Sequence, residues 1–255
     1  MENFKDKLSE YYNKFNEDKR LTHRHGQVEF ITSMKYIHDF LSPNDKIVDI
    51  GAGSGRYSIT LKNEGFDVTA VELCRPNIGK IRVNDKDLKV IEANATNLSM
   101  FKDDEFDVAI MFGPMYHLYS YEDKLKALNE AKRITKKYIF VTYIMNEYSV
   151  IEYAFKDNHY KEIKDKLDET YHINDPEALF FQSRIEDIDK LNVDANLELI
   201  KRFASDGPSD YMRSYINNMD EETFGAYIDF HLKTCERPEL LGASSHVVDI
   251  LKKKM

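Results

Sequence analysis

Residues 46–56 read KIVDIGAGSGR, and this stretch decides the fold. KIVDI (46–50) is short and mostly apolar, the composition of a strand buried on both faces. GAGSG (51–55) follows at once, and glycine alone lets the backbone turn tightly with no side chain between it and a ligand. A helical stretch then runs to Glu64 and stops at Gly65, a natural left-handed cap.

Outward from this point, strand and helix alternate. DVTAVEL (67–73), DLKVIEAN (87–94), FDVAIMF (106–112) and KYIFVTYI (137–144) read as further strands. Pro76 suits the first turn of the helix after the second strand. Leu125, Leu128, Ala131 and Ile134 form one face of a helix before the fifth. Alternation with apolar strand runs implies a parallel sheet covered on both faces. LELIKRFA (197–204) and SHVVDIL (245–251) are the remaining strands, with the helix SRIEDIDKL (183–191) between inserts.

Two helices should precede the core. Phe4, Leu8, Tyr11, Tyr12 and Phe15 fall at helical spacing, as do Val28, Ile31, Met34, Ile37 and Leu41. We expect one domain over 1–255: N-terminal helices over 1–42, a ligand-binding core over 43–144, and helical cap inserts over 145–182 and 205–243. In such sheets ligands bind beyond the carboxyl ends of the strands. Connectivity carries both inserts and the basic turn KRLTHRHG (19–26) to that edge.

Composition narrows the function. The 255 residues are 42% hydrophobic and 32% charged, ample for a core and unlike a disordered chain. A net charge of −9 argues against a broad nucleic-acid footprint. Cys74 and Cys235 are 161 residues apart, neither a disulfide framework nor a zinc site, which fits a reducing compartment. The longest apolar run, 138–145, is too short to span a bilayer, and the first twenty residues lack a signal-peptide core, so a cytoplasmic location is expected. No pattern fixes an oligomeric state.

The glycine turn alone is shared with dinucleotide enzymes, whose GxGxxG would need a glycine where Arg56 stands. The pattern here is instead (D/E)xGxGxG from Asp49, and the chain resembles the class I S-adenosylmethionine-dependent methyltransferases. Glu72 ends the second strand 21 residues after Gly51, ANATNL (93–98) resembles that family's segment beside adenine, and 101–118 matches its fourth strand and following loop. The flanks RLTHRHGQVEF, GPMYHL and ELLGASSHVVDI resemble a bacterial, small-molecule-type subgroup.

The resemblance implies a doubly wound, Rossmann-like sheet of seven strands, mostly parallel with the last antiparallel. It also implies S-adenosylmethionine as cofactor and S-adenosylhomocysteine as product. Cofactor contacts are expected from Tyr12, Arg24, Asp49, Gly51, Ala52, Gly53, Glu72, Leu73, Asn94, Ala95 and Phe112. Glu72 takes the ribose hydroxyls, since two carboxylate oxygens match two adjacent donors. Asp49 either caps the loop or helps organise the methionine end, and Arg24 suits a carboxylate. Tyr116 and His117 follow strand four, where His117 is either a general base or a residue fixing the loop.

The expected reaction is metal-independent transfer of a methyl group to an O, N or S atom of a small molecule. No nucleic-acid or membrane partner is expected, and the (D/N)PP(Y/F) motif of base-amine methylation is absent where FGPM stands. A nicotinamide-dependent oxidoreductase and a non-catalytic cofactor-binding protein are the alternatives.

Overall fold

A computed structural model describes residues 2–14 and 22–254. Phe15 and Arg20, which the sequence reading used, lie outside the described residues, as does the side chain of Phe4. The core is one sheet of eight strands: β1 (Lys46–Ile50), β2 (Asp67–Glu72), β3 (Lys89–Glu92), β4 (Phe106–Met111), β5 (Thr135–Met145), β6 (Gln182–Ser183), β7 (Leu197–Ala204) and β8 (His246–Lys253). Its order is β3-β2-β1-β4-β5-β8-β7, with β6 pairing β5 off this path.

β1 to β5 pair in parallel, and β8 runs antiparallel to both β5 and β7. The expected mostly parallel sheet with an antiparallel last strand is therefore present. Its eighth member, β6, escaped the sequence because two residues carry no periodicity; it pairs β5 through Ile144↔Gln182 and Met145↔Ser183. Ile47, Val48, Ala109, Ile110, Phe140 and Val248 are wholly buried along the central strands. Burial on both faces explains why these strands read as apolar runs rather than alternations.

Helices α1 (Glu2–Lys14) and α2 (Arg24–Phe40) precede the sheet, and α3 (Arg56–Asn63), α4 (Arg75–Asn84), α5 (Tyr121–Ile134) and α6 (Ile185–Asp194) connect or follow its strands. α2 stops at Leu41, just ahead of Pro43, whose ring disfavours helical backbone at Ser42. Pro76 sits in the first turn of α4, and Ser120 caps α5 by accepting from the Asp123 amide at 3.0 Å.

The material after β5 is less helical than its composition suggests. Residues 145–182 hold short turns, Asn146–Ser149 and Tyr160–Ile163, and a wide-coiled turn over Val150–Lys156. A small core of Val150, Ala154 and Ile163 holds them together. The segment after β7 contains Arg213–Asn217 and α7 (Glu221–Thr234), packed on α2 through Val28, Ile216 and Phe224.

Topology brings these pieces together at one edge. β8 runs backwards, so its first residue, His246, lies opposite Ile144 near the end of β5. The segments after β5 and β7, the start of β8 and the start of α2 thus all meet where the parallel strands finish.

Candidate active site

One cleft of about 1320 Å³ runs along that edge. Its first half lies over the ends of β1, β2 and β3, and its second over β4, β5, β8 and β7.

The first half is built by the glycine turn. The amides of Gly51 and Ala52 both donate to the Val71 carbonyl, at 2.8 and 3.0 Å, which pins the turn to the end of β2. Gly51, Gly53 and Gly55 all take positive φ, the conformation glycine adopts at little cost. They differ in what a side chain would meet. A Cβ on Gly51 would stand 2.6 Å from Pro114 Cδ, and one on Gly55 would press Ile81 and Ile59 at 3.0 and 3.2 Å. At Gly53 nothing lies within 4 Å, so its backbone faces open cleft.

Glu72 closes the turn from the other side. Its Oε2 accepts the Gly53 amide and its Oε1 the Cys74 amide, both at 2.7 Å. An ionised carboxylate has about four acceptor positions. The Leu73 amide and the Cys74 thiol also bond to Glu72, so the turn anchors this carboxylate from several sides at the cleft wall. Burial nevertheless raises the Glu72 pKa, opposed by its backbone hydrogen bonds. Asp49 is fully buried at the end of β1 and accepts from Ser58 Oγ at 2.6 Å. Burial, with the Glu72 charge adding to it, pushes its carboxyl up to about 7. Asn94 Oδ1 accepts the Thr96 amide at 3.0 Å, shaping the loop after β3.

Of the sequence-expected residues, Tyr12, Asp49, Gly51, Ala52, Gly53, Glu72, Leu73, Asn94, Ala95, Phe112, Tyr116 and His117 all line this cleft. Arg24 does not. Its guanidinium pairs with Glu221 and the Met219 carbonyl and lies 5.5 Å from the Phe224 ring centroid. The start of α2 reaches the ligand edge, but the segment after β7 takes up the charge of Arg24. His25 is similarly held by Asn217 Oδ1 at 3.0 Å.

His117 is a brace between three segments. Its Nδ1 lies 2.9 Å from the Leu179 carbonyl and its Nε2 2.9 Å from the Tyr12 hydroxyl. A carbonyl only accepts, so Nδ1 carries the proton and Nε2 accepts from Tyr12. Burial depresses its pKa to about 4, keeping the ring neutral. With both nitrogens engaged, it joins α1, the loop after β4 and the chain ahead of β6. This arrangement fits the loop-fixing reading of His117 and counts against the general-base reading. The neighbouring Tyr116 carbonyl accepts the Phe181 amide at 2.7 Å, reinforcing the same join.

The second half holds residues the sequence reading missed. Asp206, just after β7, accepts at Oδ1 from the His246 amide at 3.0 Å and from Ser244 Oγ at 2.6 Å. Its Oδ2 lies 2.7 Å from His246 Nδ1, and Glu29 on α2 approaches the same nitrogen at 3.9 Å. Glu29, His246, Glu152, Asp210 and Arg213 line this half beside Tyr116 and Tyr148. The available signal was SSHVVDI itself: once its strand is taken as antiparallel, its first residue must stand at the ligand edge.

The comparisons agree with this geometry. Residues 48–140 match a family described as "Methyltransferase domain". A protein of Pyrococcus horikoshii superposes with a TM-score of 0.62 at 15% identity, covering 96% of this chain and 99% of that one. The magnesium protoporphyrin IX methyltransferase of Synechocystis, solved with bound S-adenosylhomocysteine, gives 0.56 at 12% identity, covering 94% and 89%. In sequence, the ribosomal RNA small subunit methyltransferase G of Mesoplasma florum is 31% identical over 125 residues. That match takes in 43% of this chain and about half, 52%, of the relative.

The class is thereby defined: the sheet and its glycine turn are those of a class I S-adenosylmethionine-dependent methyltransferase domain. S-adenosylmethionine is the cofactor of that class, and the open face at Gly53 and the acceptor oxygens of Glu72 fit its adenosyl moiety.

Proposed function

We propose that the chain moves a methyl group from S-adenosylmethionine to an O, N or S atom of a small molecule. The observation that carries this reading is the volume of the cleft. Ligand pockets commonly measure about 300–1,000 Å³, and this one exceeds that range at about 1320 Å³. It extends beyond the glycine turn into a half roofed by the segments after β5 and β7, leaving room for a second ligand beside the cofactor.

S-adenosylmethionine supplies a methyl group already activated on a sulfonium. The protein's task is to align the two partners and exclude water. In this reading Glu72 takes the ribose hydroxyls and Gly51, Ala52 and Gly53 give the close backbone approach. Leu73, Asn94, Ala95 and Phe112 surround the base, and Asp49 fixes the turn through Ser58. Tyr12 and Tyr116, joined through His117, close the cleft over the methionine end.

A ribosomal RNA acceptor is the second reading, favoured by the Mesoplasma florum relative. Against it stand the net charge of −9 and the carboxylates in the second half of the cleft. The test has two steps. Thermal unfolding with S-adenosylmethionine, S-adenosylhomocysteine, NAD and NADP should show stabilisation by the adenosyl compounds alone, about 2.7 kcal/mol at 100 times the dissociation constant. S-adenosylhomocysteine release is then measured with a small-molecule panel and with small-subunit ribosomal RNA. Release with the RNA only would overturn the small-molecule reading.

A further inference from the structure

The chemistry of the second half of the cleft points to one class of acceptor. Glu152 is 7% exposed and lines the cleft. Its Oε1 accepts from Lys156 at 2.6 Å, while its Oε2 is buried with no hydrogen-bond partner. A buried carboxylate oxygen left without a donor is costly. A ligand that brings a donor, above all a charged one, removes that cost. Arg213 stands 3.7 Å from Glu152 Oε1 and 3.3 Å from Asp210 Oδ1 but does not reach Oε2, and with Glu29 also lining this half carboxylates still outnumber cations there, beside Tyr116 and Tyr148.

The Asp206–His246 pair adds a proton acceptor to this setting. Asp206 is 2% exposed and held in place: Ser244 Oγ and the His246 amide donate to Oδ1, and Oδ2 meets His246 Nδ1 at 2.7 Å. A carboxylate accepts, so Nδ1 carries the proton and Nε2 the lone pair. The imidazole thus has a defined tautomer, and a carboxylate sits where it would stabilise the imidazolium.

Glu29 Oε2, an Asp206 oxygen and a His246 nitrogen also lie within 4.8 Å of one another, close enough for a metal ion. The bonds that Asp206 already makes to Ser244 and His246 favour the hydrogen-bonded pair over a cation site.

We propose that the second half of the cleft binds the methyl acceptor as a protonated amine beside Glu152, and that His246, oriented by Asp206, removes its proton. This rests on the methyl-transfer reading above. The ammonium gives a proton to His246 Nε2, and the freed nitrogen lone pair forms the N–CH3 bond. The C–S bond breaks with its electron pair returning to sulfur, leaving S-adenosylhomocysteine and a methylated ammonium.

The first measurement uses protein saturated with S-adenosylhomocysteine. Amines, alcohols and carboxylates built on matched benzyl, phenethyl and n-butyl frames are added, and the unfolding midpoint is read. At least one amine should raise the midpoint while its matched alcohol and carboxylate do not. Glu152→Gln should weaken that amine at least tenfold and leave S-adenosylhomocysteine affinity as it was. His246→Asn keeps a donor for Asp206 and loses the base. It should retain amine binding, lower S-adenosylhomocysteine release about 10²–10⁴-fold, and lose the acidic limb of the pH–rate profile.

If S-adenosylhomocysteine does not bind, the methyl-transfer reading fails and takes this inference with it. If it binds, and alcohols or carboxylates stabilise as well as amines or no amine does, the inference alone is overturned. Full activity in His246→Asn overturns the base. So does a midpoint rise with Mn2+ or Zn2+ alone that is lost in that variant, which would assign the cluster to a cation.

Discussion

His117 makes stability depend on pH in a direction that can be worked out in advance. Burial lowers its folded-state pKa from 6.5 to about 4. A histidine buried in its neutral form contributes fully above the unfolded value and loses that contribution as pH falls towards the folded one. At pH 5 the unfolded chain is mostly protonated at this site and the folded chain is not. The linkage relation then gives a loss of about 2 kcal/mol relative to pH 7.5. His117→Gln cannot titrate, so it lacks this term, whatever it costs in packing at neutral pH. All other titrating groups are common to both proteins and cancel in the difference between them. For a chain of this size the differential corresponds to about 4–8 °C in unfolding midpoint. The assay is thermal unfolding of both proteins at half-unit steps from pH 7.5 to 5. The wild-type curve should fall towards the variant's as pH drops. Parallel profiles would refute the brace, because a histidine that titrates normally is not held neutral between Tyr12 and Leu179.

Three further outcomes follow from the geometry. Glu72→Gln turns an NH2 towards one of the two amides it now accepts from, and a lost charge-assisted bond is worth about 1.5–3 kcal/mol; calorimetry should show S-adenosylmethionine binding weakened at least tenfold, and unchanged affinity would displace the ribose from this residue. Gly51→Ala and Gly53→Ala both place a side chain at positive φ and should lower the unfolding midpoint, the first further because its Cβ comes within 2.6 Å of Pro114; Gly53→Ala, with space around its Cβ, should in addition weaken cofactor binding. Asp249 is wholly buried and pairs with Arg202 at 2.5 Å and with Asn192 at 2.6 Å; Asp249→Ala leaves Arg202 with Asp189 at 2.8 Å and takes the acceptor from the Asn192 amide, and should cost about 1.5–3 kcal/mol in denaturant unfolding.

The legible parts of the sequence were those whose signal is local. β1, β2 and β4 are apolar runs because they are buried on both faces, and a run of that kind can be read without knowing its neighbours. The glycine turn is equally local, since its positive φ angles are imposed by covalent geometry. Arg24 shows where such reading stops. Its place at the ligand edge follows from helix direction, but its partner, Glu221, is 197 residues away and belongs to a segment with no periodic tie to it. His246 failed in the same way: its role needs Asp206, 40 residues earlier, and an antiparallel strand to bring the two together. The turns after β5 were also unreadable, because residues 145–182 draw their order from a three-residue core and from contacts with the cleft rather than from helical spacing.

The placement of β8 sets an order of assembly during synthesis. β1 to β5 are neighbours with short connections and can pair as soon as they leave the ribosome, completing the half of the sheet that carries the glycine turn. β7 has no such neighbour, since β8, the last of the eight strands to be made, lies between it and β5. The nascent chain therefore gains the framework for its cofactor well before it gains His246. A ribosome that stalls ahead of β8 would leave the β5 edge that β8 pairs with uncovered, an aggregation-prone surface that the finished strand seals.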